Sequence, residues 1–191
     1  MKLVETKWYG QLIQISDHIL LGILWVVVSL PLVTVVPATT GVFTALNKWK
    51  NGESGHVCYS FLQGFKRKFF LQLVMSCVTI ISYFAMNLIL QESAIWLVIC
   101  GYVTMLVFTM FLLSWCSSLA QNDALSGKVL FQESTLWVLT NFLKNLVCCG
   151  ILLVFLVLVF MFPPIIFVLA GGVWWLINHL VGNINRKGVW Q

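Results

Sequence analysis

The sequence predicts an all-α integral membrane protein, a polytopic helical bundle of five to six membrane segments. The first segment is broken at Pro31 and Pro37, and amphipathic helices lie on the cytoplasmic side. Two observations carry this prediction. Sixty per cent of the 191 residues are hydrophobic and only 9% are charged, whereas soluble domains carry about 25% charged residues; mean hydropathy is +0.96. The apolar residues also fall in runs long enough to cross a hydrocarbon core of roughly 30 Å, which takes about 20 helical residues. No soluble core of this length could hide so much apolar surface, so the lipid bilayer is the expected solvent and residues 1–191 form a single membrane domain.

Taken in order, residues 1–17 are mixed, with Trp8 and Tyr9 suited to a headgroup-level anchor. The apolar run begins near Ile19 and extends well past the length of a signal-peptide core without a cleavage motif, which makes it a retained segment. Pro31 and Pro37 interrupt it, so the segments are placed at about 12–31 and 33–50, the second short or re-entrant. Asn51-Gly52 and Gly55 punctuate a polar link. Residues 56–69 have helical period, with Cys58, Phe61, Leu62, Phe65 and Phe69 on one face, and read as an interfacial helix. Spans follow at about 70–90 and 94–117, separated by Gln91-Glu92-Ser93. A second partly interfacial helix is placed at 129–145, from Leu136, Leu139, Leu143 and Leu146 at helical spacing. The last two segments, 146–163 and 165–181, flank Pro163-Pro164. An amphipathic helix followed by a hairpin occurs at 56–117 and again at 129–181, a weak sign of a parallel repeat.

The formal charge of +5 comes from 11 Lys+Arg against 6 Asp+Glu. The basic residues flank the apolar runs, which favours a membrane protein over a nucleic-acid binder. Lys48, Lys50, Lys66, Arg67 and Lys68 place the 48–68 link in the cytoplasm. Lys128 and Lys144 return the chain there, and Arg186 and Lys187 put the C-terminus inside. The N-terminus is cytoplasmic if the chain turns near Pro31–Pro37.

Little here suggests catalysis. The six cysteines show neither CxxC nor zinc spacing with a histidine, and no disulfide framework is implied. The nucleotide P-loop, HExxH and GxSxG motifs are missing. The expectation is therefore no enzyme, no cofactor and no metal. Asp17-His18 could relay protons, but both sit at a span edge, where anchoring is the simpler role; His179 is read the same way. No Asp, Glu, Lys or Arg lies in the middle of a long span, whereas proton-coupled transport usually needs one. Pro31, Thr34, Pro37, Thr39, Thr40 and Thr44 gather around the broken first segment, as a polar path or as a fixed kink closed by its own hydroxyls. Gly171-Gly172 before Trp174-Trp175 reads as close helix packing.

Residues 24–53 resemble the opening of the YesL family of bacterial membrane proteins, whose domain has no known function. The matching features are Leu30-Pro31, Thr34, Pro37, Ala38-Thr39, Thr44-Ala45-Leu46, Lys48 and Gly52-Glu53, joined by Phe61, Phe65 and Phe69 and by Phe162-Pro163-Pro164. The resemblance implies a bacterial cytoplasmic-membrane protein whose genes neighbour carbohydrate ABC importers. The leading expectation is an accessory subunit of an oligosaccharide ABC importer. Its partners would be the permease subunits, with the ATPase and the sugar-binding protein in the same complex. Phe61, Phe65, Lys66 and Arg67 are the expected contact residues. The alternatives are a self-sufficient transporter or channel, and a membrane partner of a two-component sensor.

Overall fold

The computed structural model describes residues 7–52, 56–89, 95–121 and 126–182, with side chains from residue 12 onward. Every regular element in them is helical: α1 (Lys7–Ser29), a 3-10 turn (Leu32–Thr34), α2 (Val35–Lys50), α3 (Val57–Lys66), α4 (Phe69–Ile89), α5 (Ile95–Gln121), α6 (Gly127–Thr140), α7 (Phe142–Met161) and α8 (Ile165–Gly182). Four stretches are long and apolar enough to cross a bilayer: Leu12–Ser29, Phe69–Leu88, Ile95–Gln121 and Phe142–Met161. Ile165–Val181 is shorter but apolar. Large apolar side chains such as Phe84, Trp96, Leu153 and Phe160 stand on the outside of these helices. Among the described residues, the chain is a multi-pass helical membrane bundle.

The centre of the bundle is α2. Every residue from 36 to 46 is buried, packed among α1, α3, α4, α5 and α8. Its 16 residues span about 24 Å, less than a hydrocarbon core of roughly 30 Å. Close approach in lipid relies on small residues rather than an apolar stripe, and Ala38, Thr39, Thr40, Gly41, Thr44 and Ala45 supply them. A Cβ on Gly41 would lie 2.9 Å from the Phe61 carbonyl oxygen. One on Gly64 would lie 2.6 Å from Thr44 Cβ and 2.9 Å from Gly41 Cα. The α1–α8 seam is equally tight, because a Cβ on Gly22 would lie 2.8 Å from the Gly171 nitrogen.

Helices α1 and α2 form a hairpin. His18 on α1 lies 5.2 Å from the Trp49 ring at the end of α2 and 6.1 Å from Trp175 on α8. Asn178 Nδ2 donates to Asn47 Oδ1 at 3.2 Å. The early part of α1 and the ends of α2 and α8 therefore share one end of the bundle. That end also carries Lys48, Lys50 and the α3–α4 elbow with Lys66, Arg67 and Lys68, and so is the basic end.

The structure corrects several expected details. The break falls at residues 30–34, around Pro31. Pro37 does not break the helix but sits in the first turn of α2, where a missing N–H costs nothing. The helix expected at 129–145 ends at Thr140, and α7 starts at Phe142 rather than 146. Asn141, at φ −120 and ψ 38, forms the joint, and the Thr140 hydroxyl closes the last turn of α6 on the Leu136 and Trp137 carbonyls. The face of α3 is also rotated: Val57, Ser60, Phe61 and Gly64 are buried, while Cys58 and Leu62 are exposed. Likewise Leu136, Leu139, Leu143 and Leu146 are exposed, and α6 buries Leu130, Ser134 and Val138. Size was a poor guide to facing, since lipid solvates large apolar side chains as well as a core does. The Trp8–Tyr9 anchor, Lys2, Glu53, the 91–93 turn and the tail with Arg186 and Lys187 lie outside the residues or side chains described.

Candidate functional site

The threonine-rich hairpin tip can be accounted for bond by bond. A helix start leaves backbone N–H groups unpaired, and inside a bilayer each orphan is costly. At the start of α2, the Val35 N–H bonds the Leu32 carbonyl. The Val36 N–H donates to Ser76 Oγ of α4 at 3.3 Å. Pro37 has no N–H to satisfy. On the α1 side, Ser29 Oγ donates to the Trp25 carbonyl. Thr34 Oγ1 lies within donating distance of the Val28 and Pro31 carbonyls. Thr39, Thr40 and Thr44 donate to the carbonyls of Val35, Val36 and Thr40 at 2.8, 3.1 and 2.9 Å. Thr39 Oγ1 also accepts the Trp25 indole N–H at 3.2 Å. Each hydroxyl of the group thus donates to a backbone carbonyl of the chain.

The four residues expected to meet a partner separate. Phe61 is fully buried, with its carbonyl and ring against Gly41, so it serves the core. Arg67 is half-buried, and its Nη1 donates to the Leu119 and Ala120 carbonyls at 3.0 and 2.8 Å. It closes the C-terminal end of α5, the negative end of a helix, where a cation is favoured. Phe65 is half-buried between Phe61 and Phe69, with ring centroids 6.3 and 5.2 Å away. Lys66 is exposed. The elbow itself is tight: Arg67 is extended and Lys68 has φ +44, a left-handed backbone.

Two concave surfaces lie on the outside. One, of about 420 Å³, is lined by Tyr59, Leu62, Gln63, Lys66 and Arg67 at the elbow. The other, of about 460 Å³, is an apolar groove along α7 lined by Val147, Gly150, Ile151, Val154, Phe155, Leu158 and Val173. Lys66 and Arg67 of the elbow surface were among the expected contact residues, but the outline of both surfaces was not legible in the sequence. Each depends on which faces remain outside after packing, and Gly150 carried no motif to mark it.

The other marked residues are structural. His18 Nδ1 lies 2.6 Å from the Gln14 carbonyl, and the ring sits in an aromatic cluster with Trp49 and Trp175, beside His179. That is an anchoring arrangement. Trp174 is buried edge-on against Trp25 and Phe43, with ring centroids 5.3 and 5.7 Å apart. Among the described residues, no three His, Cys, Asp or Glu side chains gather as a metal site would require, and the six cysteines are free. Sequence reasoning also missed Asn145, which is fully buried on α7 with both amide atoms unpartnered.

A family model described as "Protein of unknown function, DUF624" matches residues 19–89, from α1 through α4. No curated protein and no solved structure matches the chain. The matched stretch holds the α1–α2 hairpin, the tight α2–α3 seam and the elbow, so the features that organise this bundle lie inside it. Over residues 19–89 the chain is similar to the DUF624 family, and that family is the YesL family its sequence resembles.

Proposed function

We propose that this protein is an accessory membrane subunit of an oligosaccharide ABC importer, held by helix–helix contacts with the permease. The ATPase and sugar-binding protein belong to the same complex. On this reading it sits in the bacterial cytoplasmic membrane with its basic end and both termini on the cytoplasmic side, and its role is binding rather than catalysis. The kind of partner comes from the family resemblance. The mode of contact comes from one observation, the apolar groove on α7.

That groove has the character of a helix seat. Gly150 faces it, and a Cβ placed there would meet nothing within 4 Å. Small residues at such a notch let a second helix approach closely in lipid, where packing rather than a hydrophobic drive holds helices together. The closed threonine hairpin supports the same role, since its hydroxyls are spent on fixing the fold.

The test is copurification from the native membrane in mild detergent, followed by mass spectrometry. The wild-type chain should bring down permease and ATPase subunits. Gly150→Leu fills the notch without touching the protein's own core, so it should lose them while keeping its thermal stability. Repeated recovery of the intact wild-type chain alone would sink the proposal.

A further inference from the structure

We propose that the groove at the α3–α4 elbow holds the phosphate of an anionic phospholipid headgroup. This inference does not depend on the permease reading. Its polar lining consists of donors. Lys48 Nζ donates to Gln63 Oε1 and lies 5.7 Å over the Tyr59 ring. Gln63, whose Oε1 accepts from Lys48, has its amide N–H group to donate to a ligand. Lys66 adds an exposed ammonium. Arg67, anchored through Nη1 to the end of α5, fixes a guanidinium charge in the groove wall. A site built from cations and N–H donors calls for a ligand of acceptors bearing negative charge, and a phosphodiester is such a ligand.

Position and shape select a lipid over a soluble anion or an acidic polypeptide. The elbow ends where the apolar span Phe69–Leu88 begins, so the groove lies at the mouth of the bilayer, at headgroup level. Tyr59 and Leu62 give it an apolar wall, and Phe70, in the first turn of that span, is 79% exposed. A charged pocket passing into an apolar surface matches a molecule with a phosphate at one end and acyl chains at the other.

The experiment uses the full chain purified in neutral detergent and native mass spectrometry, with phosphatidylglycerol or phosphatidylcholine of identical acyl chains added. Phosphatidylglycerol should be retained preferentially. Lys66→Gln should weaken that retention roughly fivefold, the effect of one basic residue at an anionic membrane surface. Lys144→Gln, an exposed cation at the start of α7 and outside the groove, should leave retention unchanged. Thermal stability in phosphatidylcholine micelles should be the same for all three proteins, which separates lost binding from lost fold. Equal retention of both lipids by the wild type, or equal losses in the two variants, would overturn the proposal. So would competition by free glycerol phosphate as strong as that by the lipid, or an acidic polypeptide copurifying in place of lipid and displaced by Lys66→Gln.

Discussion

Gly171 has no room for a side chain. A Cβ there would meet the His18 carbonyl oxygen and lie 2.7 Å from its carbon, and neither atom can move without shifting α1. Gly172, its neighbour, faces open space. Gly171→Ala should therefore destabilise the bundle by about 3 kcal/mol, as overpacking does. Gly172→Ala should stay within about 0.5 kcal/mol, as surface substitutions do. Thermal unfolding in detergent compares the two directly, and equal midpoints would remove the α1–α8 contact from the account of the fold. In the sequence these glycines form one undifferentiated pair; only the helix opposite decides which of them is needed. The hydroxyls were more legible. Ser29, Thr34, Thr39, Thr40 and Thr44 crowd the proline break; Thr34 closes the Val28 carbonyl freed there, while the other four bond back to carbonyls one turn earlier in their own helices. Ser76 was not legible, because its acceptor role toward Val36 depends on α4 lying beside the start of α2.

At the scale of elements, the end of α5 depends on a residue from a different helix pair. Residues 113–120 of α5 are all buried, so the last carbonyls of that helix have little access to water. Arg67 satisfies two of them. Hydrogen bonds to a charged group contribute about 1.5–3 kcal/mol, so Arg67→Ala should cost about 2 kcal/mol. Hydrogen exchange should accelerate selectively in the last turn of α5, with α7 and α8 unaffected; uniform acceleration would mean that Arg67 is not a local cap. Helix existence and rough extent were readable from hydropathy and period. Facing was not. The expected stripe on α3 used its large apolar side chains, whereas the real seam uses Ser60 and Gly64, with Phe61 seated on Gly41. The short-helix-then-hairpin order does occur twice, as α3–α4–α5 and α6–α7–α8. The two short helices bury different residue types against different partners, α3 on α2 and α6 on α5.

For the whole molecule, the α1–α2 hairpin gathers the cations at one end. If that end faces the cytoplasm, Cys58, exposed on α3, should resist an impermeant maleimide in intact cells and react in inverted vesicles. A cysteine at Pro163, exposed in the turn between α7 and α8, should react in intact cells, with Cys100 replaced by serine to clear the background. The reverse pattern would invert the orientation and remove the basis for placing the elbow groove against the cytoplasmic leaflet.

The sequence by itself determined that this protein lives in a bilayer, that it is helical, that its first segment is broken within the stretch Pro31–Pro37, and that cations flank its spans. Those properties are set by composition and by neighbours a few residues apart. Only the tertiary structure decided that α2 is the centre of the bundle, that Pro37 belongs to a helix start, that Phe61 is core and Arg67 a cap, and that Gly150 opens onto a groove. In water, burial sorts side chains by polarity, and a sequence displays that sorting. In lipid the outside is as apolar as the inside, so facing is decided by which small residues let two backbones meet. Those residues lie far apart in the chain, as Gly22 and Gly171 do.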